Sequence, residues 1–155
     1  MKFVFLFLGK TTETYLDSGI RDYLQRLKRL VQVEIIILRE KVSKSLPDEQ
    51  FKQKEAEQLL NHCRDVSYLV ALDGGGKVVD SESFARLLTS WEDRGLKTVH
   101  FVIGGHLGLH QDVLQRADYV LSLSQMTFTH EMVRLILLEQ LYRASMIRSG
   151  RKYHN

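Results

Sequence analysis

Apolar residues along this chain come in short β-rich runs separated by amphipathic stretches. Phe3 to Leu8 is an unbroken apolar run that stops at Gly9. Such a run suits a strand covered on both faces. From Glu13 to Leu30, Leu16, Ile20, Tyr23, Leu24 and Leu27 recur at three- and four-residue spacing, which predicts an amphipathic helix. Val31 to Leu38 is rich in β-branched residues and predicts a second strand. Arg39 to Leu46 is a polar, basic loop, and Pro47, the only proline, can open a helix running to about Cys63. Tyr68 to Leu72 predicts a third strand ending in the loop Asp73-Gly74-Gly75-Gly76-Lys77. Asp80 or Ser81 can cap a helix that stops before Gly95. Thr98 to Ile103 predicts a fourth strand, Gln111 to Arg116 a short helix, Tyr119 to Leu123 a fifth strand, and His130 to Arg148 a long, largely apolar last helix.

Strands alternating with helices define an α/β chain with a mainly parallel sheet and helices on both faces. There is no internal repeat or linker, so residues 1–155 read as a single domain. A helix apolar on most faces must be buried on most faces, which in a short chain suggests a partner subunit.

Composition narrows the function classes. Hydrophobic residues make up 44% and charged residues 26%, as in ordinary soluble globular proteins. The net charge of +3 permits a polyanionic partner without requiring one. Cys63 is the only cysteine, so an intrachain disulfide and a Cys-based metal site are excluded. No apolar run reaches the ~18 residues of a membrane span, and the opening run is too short for a signal-peptide core. A cytoplasmic location and no membrane partner are therefore expected.

Motif searches mostly exclude. Gly104-Gly105-His106-Leu107-Gly108 is not the fingerprint G-x-G-x-x-G, and none follows the first strand, which argues against a dehydrogenase. It is either a tight turn after a buried strand or a place where backbone approaches a flat ligand. Asp73 to Lys77 lacks Walker spacing. His130-Glu131-Met132-Val133-Arg134 begins like H-E-x-x-H but ends in arginine, so it is no zinc helix, and no histidine pair makes a metal site. The serine contexts lack the nucleophile elbow. Glu139 and Arg143, and Glu131 and Arg134, have helix ion-pair spacing. The run of cations Arg134, Arg143, Arg148, Arg151 and Lys152 also suggests phosphate contact.

Four segments in order, FVIGGHLGL from Phe101, LSLSQMTFTH from Leu121, VRLILLEQLYRA from Val133 and the closing Tyr153-His154, carry a family resemblance. Over essentially all 155 residues the chain resembles the ribosomal RNA large subunit methyltransferase H family, a small branch of the SPOUT methyltransferases. The resemblance implies a C-terminal trefoil knot, a homodimer and S-adenosyl-L-methionine as methyl donor, with no metal. It implies methylation at N3 of pseudouridine 1915 in helix 69 of 23S rRNA, within the assembled 70S ribosome. It places the cofactor against Leu72, Gly104 and the loop Leu123-Ser124-Gln125-Met126-Thr127-Phe128, and gives Arg143, Tyr153 and His154 to the RNA and the target base. His154 is the implied candidate for taking the N3 proton or orienting the base, and Arg143 for stabilising charge or binding phosphate. Read without the family, His154 is only a terminal residue, and termini fray. Two positions depart from the family: Thr129 stands where proline often precedes the histidine, and Lys152 where proline or a small residue often precedes Tyr-His. Two alternatives stay open, a SPOUT enzyme acting on tRNA and a non-catalytic ribosome- or RNA-binding factor.

Overall fold

The computed structural model describes residues 1–150; Arg151 to Asn155 lie outside the described residues. The first strand, β1 (Lys2–Leu8), is buried at every position after Lys2. It can be apolar on both faces because it lies inside the sheet. The order is β2 (Gln32–Leu38), β1, β4 (Thr98–Ile103), β3 (Leu69–Val78), β5 (Tyr119–Ser122), and every pairing is parallel. The edge strand β2 has no fully buried residue.

Successive β1 side chains feed two cores, as strand alternation requires. Phe3, Phe5 and Phe7 join Phe101 of β4 in a core covered by α1 (Thr14–Leu27), α3 (Ser81–Asp93) and α5 (His130–Arg148). The Phe5 and Phe101 rings stack with centroids 5.2 Å apart, and Trp91 packs against Phe101, Tyr68 and Tyr119. Val4, Leu6 and Leu8 point the other way, under α2 (Asp48–His62) and α4 (Gln111–Arg116). Each fully buried large apolar side chain stabilises by about 1.5–3 kcal/mol, so these two layers are the main favourable term.

Local chemistry sets the helix starts. The Asp80 carboxylate accepts a bond from the Ser83 amide at 2.6 Å, and the Thr129 hydroxyl one from the Met132 amide at 3.3 Å. Strand β4 and helices α4 and α5 keep the bounds their patterns predict. Helix α1 is shorter than its apolar spacing suggests, ending at Leu27 before a turn. The third strand departs most. Leu72 and Lys77 both pair with Leu121, so β3 resumes at Lys77 after Asp73 to Gly76 loop out. The loop closes because Asp73 accepts from the Gly75 amide at 2.8 Å and Gly76 lies against β5, where a Cβ would sit 2.7 Å from the Val120 carbonyl oxygen.

Of the 19 residues of α5 only Ile147 is exposed. Leu137, Leu138, Leu141 and Ala144 are buried in the core, between α1 and α3. Most of this helix is thus covered within one chain. Among the described residues, no helix is long and apolar enough to cross a membrane, and no group of three His, Cys, Asp or Glu could hold a metal.

Candidate functional site

The carboxyl ends of β4 and β5, with the excursion in β3, open onto a cavity of about 770 Å³. Crevices at this end of a parallel sheet are where α/β proteins bind ligands. Leu72 and Asp73 contribute from the start of the excursion in β3, and Ile103, Gly104 and Gly105 from the end of β4. A Cβ on Gly104 would stand 2.6 Å from the Gly108 carbonyl carbon, so only glycine fits there. The Gly108 amide donates to the Gly105 carbonyl at 3.1 Å, which folds the loop back on itself.

The segment after β5 forms the opposite wall. The Ser122 hydroxyl donates to the Ser124 carbonyl at 2.9 Å, and the Ser124 hydroxyl accepts from the Met126 amide at 2.9 Å. Short side-chain bonds of this kind hold the turn without a ladder. Leu123, Ser124, Gln125, Met126, Thr127 and Phe128 all face the cavity, and Met126 is 76% exposed. All eight residues that the resemblance assigned to a cofactor therefore lie on one wall system. The site also uses Glu13, Tyr15 and Leu16 beyond β1, and His130, Glu131 and Val133 of α5. Only the turn at Gly9 hinted at the first group; the sheet order, which sets β1 beside β4, was needed to place it.

The electrostatics of this wall are unusual for a nucleotide site: among the described residues it carries no lysine or arginine, but it does carry the carboxylates of Glu13, Asp73 and Glu131. Burial would raise the Glu131 carboxyl, yet the amide and hydroxyl of Thr12 and the nearby Arg134 outweigh it and keep it below the usual range. The hydroxyl bond is 3.0 Å, and the Thr12 amide donates to the other oxygen. Burial, with Arg134, lowers the His130 imidazole, which favours its neutral form.

Arg134 corrects the reading of C-terminal cations as phosphate contacts. It is wholly buried, and it forms no ion pair with Glu131. Its guanidinium instead donates to the carbonyls of Leu8 and Gly9 at 2.7 and 3.2 Å and to the Thr11 hydroxyl at 3.0 Å. It stacks over Phe7 with its central carbon 4.7 Å from the ring centre. Arg148 pairs with Glu92. Arg143 meets Glu139 at 2.7 Å as its spacing suggests, and is half-buried. It does not line the cavity: it lies ten residues along the helix from Val133, the last α5 residue to do so, a rise of about 15 Å. Tyr153 and His154 lie outside the described residues.

A parallel five-stranded sheet with a cavity built from Gly- and Ser-rich turns at its carboxyl end defines an α/β ligand-binding domain. The family model described as "Predicted SPOUT methyltransferase" matches residues 1–154. A solved structure of a Bordetella pertussis protein described as a "probable methyltransferase" shares this fold, at a TM-score of 0.56 and 12% identity, over 92% of this chain and 95% of that one. The chain is 43% identical to the ribosomal RNA large subunit methyltransferase H of Halothermothrix orenii and 45% identical to that of Desulfotalea psychrophila, in each case over 99% of both chains. It belongs to the ribosomal RNA large subunit methyltransferase H family, and is a methyltransferase.

Proposed function

We propose that this protein transfers a methyl group from S-adenosyl-L-methionine to 23S rRNA of the large ribosomal subunit, at N3 of pseudouridine 1915 in helix 69 of the assembled 70S particle. The observation that carries the reading is the composition of the cavity wall. Among the described residues the wall presents carboxylates and no lysine or arginine, which disfavours a phosphate-bearing nucleotide and suits an adenosine derivative with a sulfonium and an ammonium. The volume lies within the roughly 300–1,000 Å³ of small-molecule sites. Leu72, Leu123 and Met126 offer apolar faces for a flat ring, and the turns after β4 and β5 offer main-chain groups for its polar edge.

S-adenosyl-L-methionine bound there supplies the methyl group, its C–S electrons returning to sulfur. The protein's part is then to position the base and remove a proton. His154 takes the N3 proton. Arg143, its guanidinium oriented by Glu139, stabilises the developing charge on the base or holds a phosphate, and Tyr153 orients the base. Because Arg143 stands about 15 Å along α5 from Val133, the last residue of that helix to line its own cavity, it serves the cavity of a second copy in a homodimer. A single knotted domain working in the cytoplasm completes the reading.

The test is transfer of labelled methyl to ribosomes lacking this modification, with free rRNA and bulk tRNA in parallel. The reading expects label on ribosomes alone, at N3 of that pseudouridine, lost in Arg143→Ala and His154→Ala. Label confined to tRNA, or none from a folded protein, overturns it.

A further inference from the structure

A carboxyl group that the transfer reaction does not use lies directly behind the cofactor wall. Glu55 of α2 is only 5% exposed, and its Oε1 has no hydrogen-bond partner. It faces the turn after β4: a Cβ on Gly105 would stand 2.8 Å from Glu55 Oε2 and 3.1 Å from Oε1. The same helix touches that turn twice more. The Phe51 ring lies 5.2 Å from that of His106, and Glu49 lies 3.0 Å from His110 Nε2. The segment from Gly105 to His110 therefore rests on α2 on one side, while Gly105, His106 and Gly108 line the cavity on the other.

An ionised carboxylate here would have no donor to compensate its burial. Burial first, and the Glu40 carboxylate of the β2–α2 segment second, push the Glu55 carboxyl up to about 7. The other titratable or charged groups near this corner are His106 and His110 on the turn itself, and His130 and Arg134 of α5, which interact with Glu40.

We propose that Glu55 is a positioning residue for the ligand cavity: neutral, it packs under Gly105 and holds the turn after β4 in its ligand-lining shape; ionised, it must reach water, which displaces the turn and weakens ligand binding. The inference rests on the cavity being the S-adenosyl-L-methionine site. Cofactor binding over Gly105 excludes more water from Glu55 and so favours its neutral form. Affinity then falls as pH rises above neutrality.

The test is calorimetric titration of S-adenosylhomocysteine, which lacks the sulfonium charge, into wild type and Glu55→Gln. Linkage permits up to tenfold per pH unit above the free protein's transition, so wild type is expected to lose about tenfold in affinity from about pH 6.5 to about pH 8.5, and Glu55→Gln less than about twofold. A pH-independent wild type, or a variant that loses affinity in parallel with it, overturns the proposal and leaves the cofactor site standing. Absence of binding by folded wild type at every pH overturns the cofactor reading and the inference with it. Should Glu55→Gln fail to fold, hydrogen exchange of residues 104–110 in wild type decides: protection must fall at alkaline pH beyond the intrinsic rate change, and unchanged protection overturns the proposal.

Discussion

Arg134 offers a direct measurement of what holds the cavity together. Its guanidinium reaches two main-chain carbonyls at the end of β1, the Thr11 hydroxyl and the face of Phe7, all without exposure to water. Arg134→Ala strips the buried Leu8 carbonyl and the part-buried Gly9 carbonyl and Thr11 hydroxyl of this donor, and opens a void against Phe7. An orphaned buried acceptor costs roughly 1–3 kcal/mol. Against this stands the relief of removing a buried cation, whose desolvation already lowers the Arg134 pKa and whose Nε has no partner. The net expectation is a loss of about 2–4 kcal/mol, from the lost hydrogen bonds and the void together. For a domain of this size that lowers Tm by roughly 10 °C. Urea denaturation of wild type, Arg134→Ala and Arg134→Met reads this directly. Met keeps most of the volume and separates the void from the lost bonds, so it should fall between the other two. A loss below about 1 kcal/mol in Arg134→Ala would refute the claim that this guanidinium ties α5 to the end of β1.

Gly104→Ala forces a Cβ to within 2.6 Å of the Gly108 backbone, so the turn must move; a stability loss of about 1–3 kcal/mol and a clear fall in S-adenosylhomocysteine affinity by calorimetry are expected. Gly74→Ala meets open space and should stay within about 0.5 kcal/mol of wild type by urea denaturation. Glu55 predicts a pH signature in stability itself. Its folded pKa of about 7 lies above the ordinary carboxyl value, so between the two the folded state binds more protons than the unfolded chain. Stability from this group is therefore lost as pH rises from about 4.5 to about 7, and then levels off. Across that window wild type should lose up to about 3 kcal/mol relative to Glu55→Gln, measured by paired thermal melts. Glu131, with its lowered pKa, works in the opposite sense in both proteins and cancels in the difference.

Much of the fold was legible because the strands inside the sheet are unbroken apolar runs bounded by glycine or polar turns. Thr98 to Ile103, followed by Gly104-Gly105, could be little else. The excursion in β3 was not legible, because Lys77 rejoins the sheet only by pairing with Leu121, more than forty residues away. Half of the cavity was visible as Gly-rich and Ser-rich turns at strand ends. The contribution of Glu13 and Tyr15 was not, since nothing local says that β1 lies beside β4. Arg134 misled for a related reason. Its spacing from Glu131 suggests an ion pair on a helix surface, whereas its real partners lie at Leu8 and Gly9, 126 and 125 residues earlier. Helical spacing describes neighbours along one element, and it cannot see a carbonyl offered by a different strand.

These buried polar groups share a physical logic. A cavity bounded by Gly104, Gly105 and Gly108 has few side chains of its own with which to hold its shape, and apolar packing cannot grip bare backbone. Hydrogen bonds and close carboxyl contacts can. Arg134 grips the carbonyls at the start of the β1–α1 turn, Glu131 grips the Thr12 amide and hydroxyl, and Glu55 abuts Gly105. Each is reached from a helix packed beside the sheet, so the helices α5 and α2 brace the turns from opposite faces. Buried ionisable groups are an expensive way to stabilise a fold compared with apolar residues of the same volume. The concentration of these three ionisable side chains beside the turns at the carboxyl end argues that they are retained for the geometry of the cavity. An apolar replacement that matched their volume would then recover stability before it recovered ligand affinity, and measuring both on Arg134→Met separates those two roles.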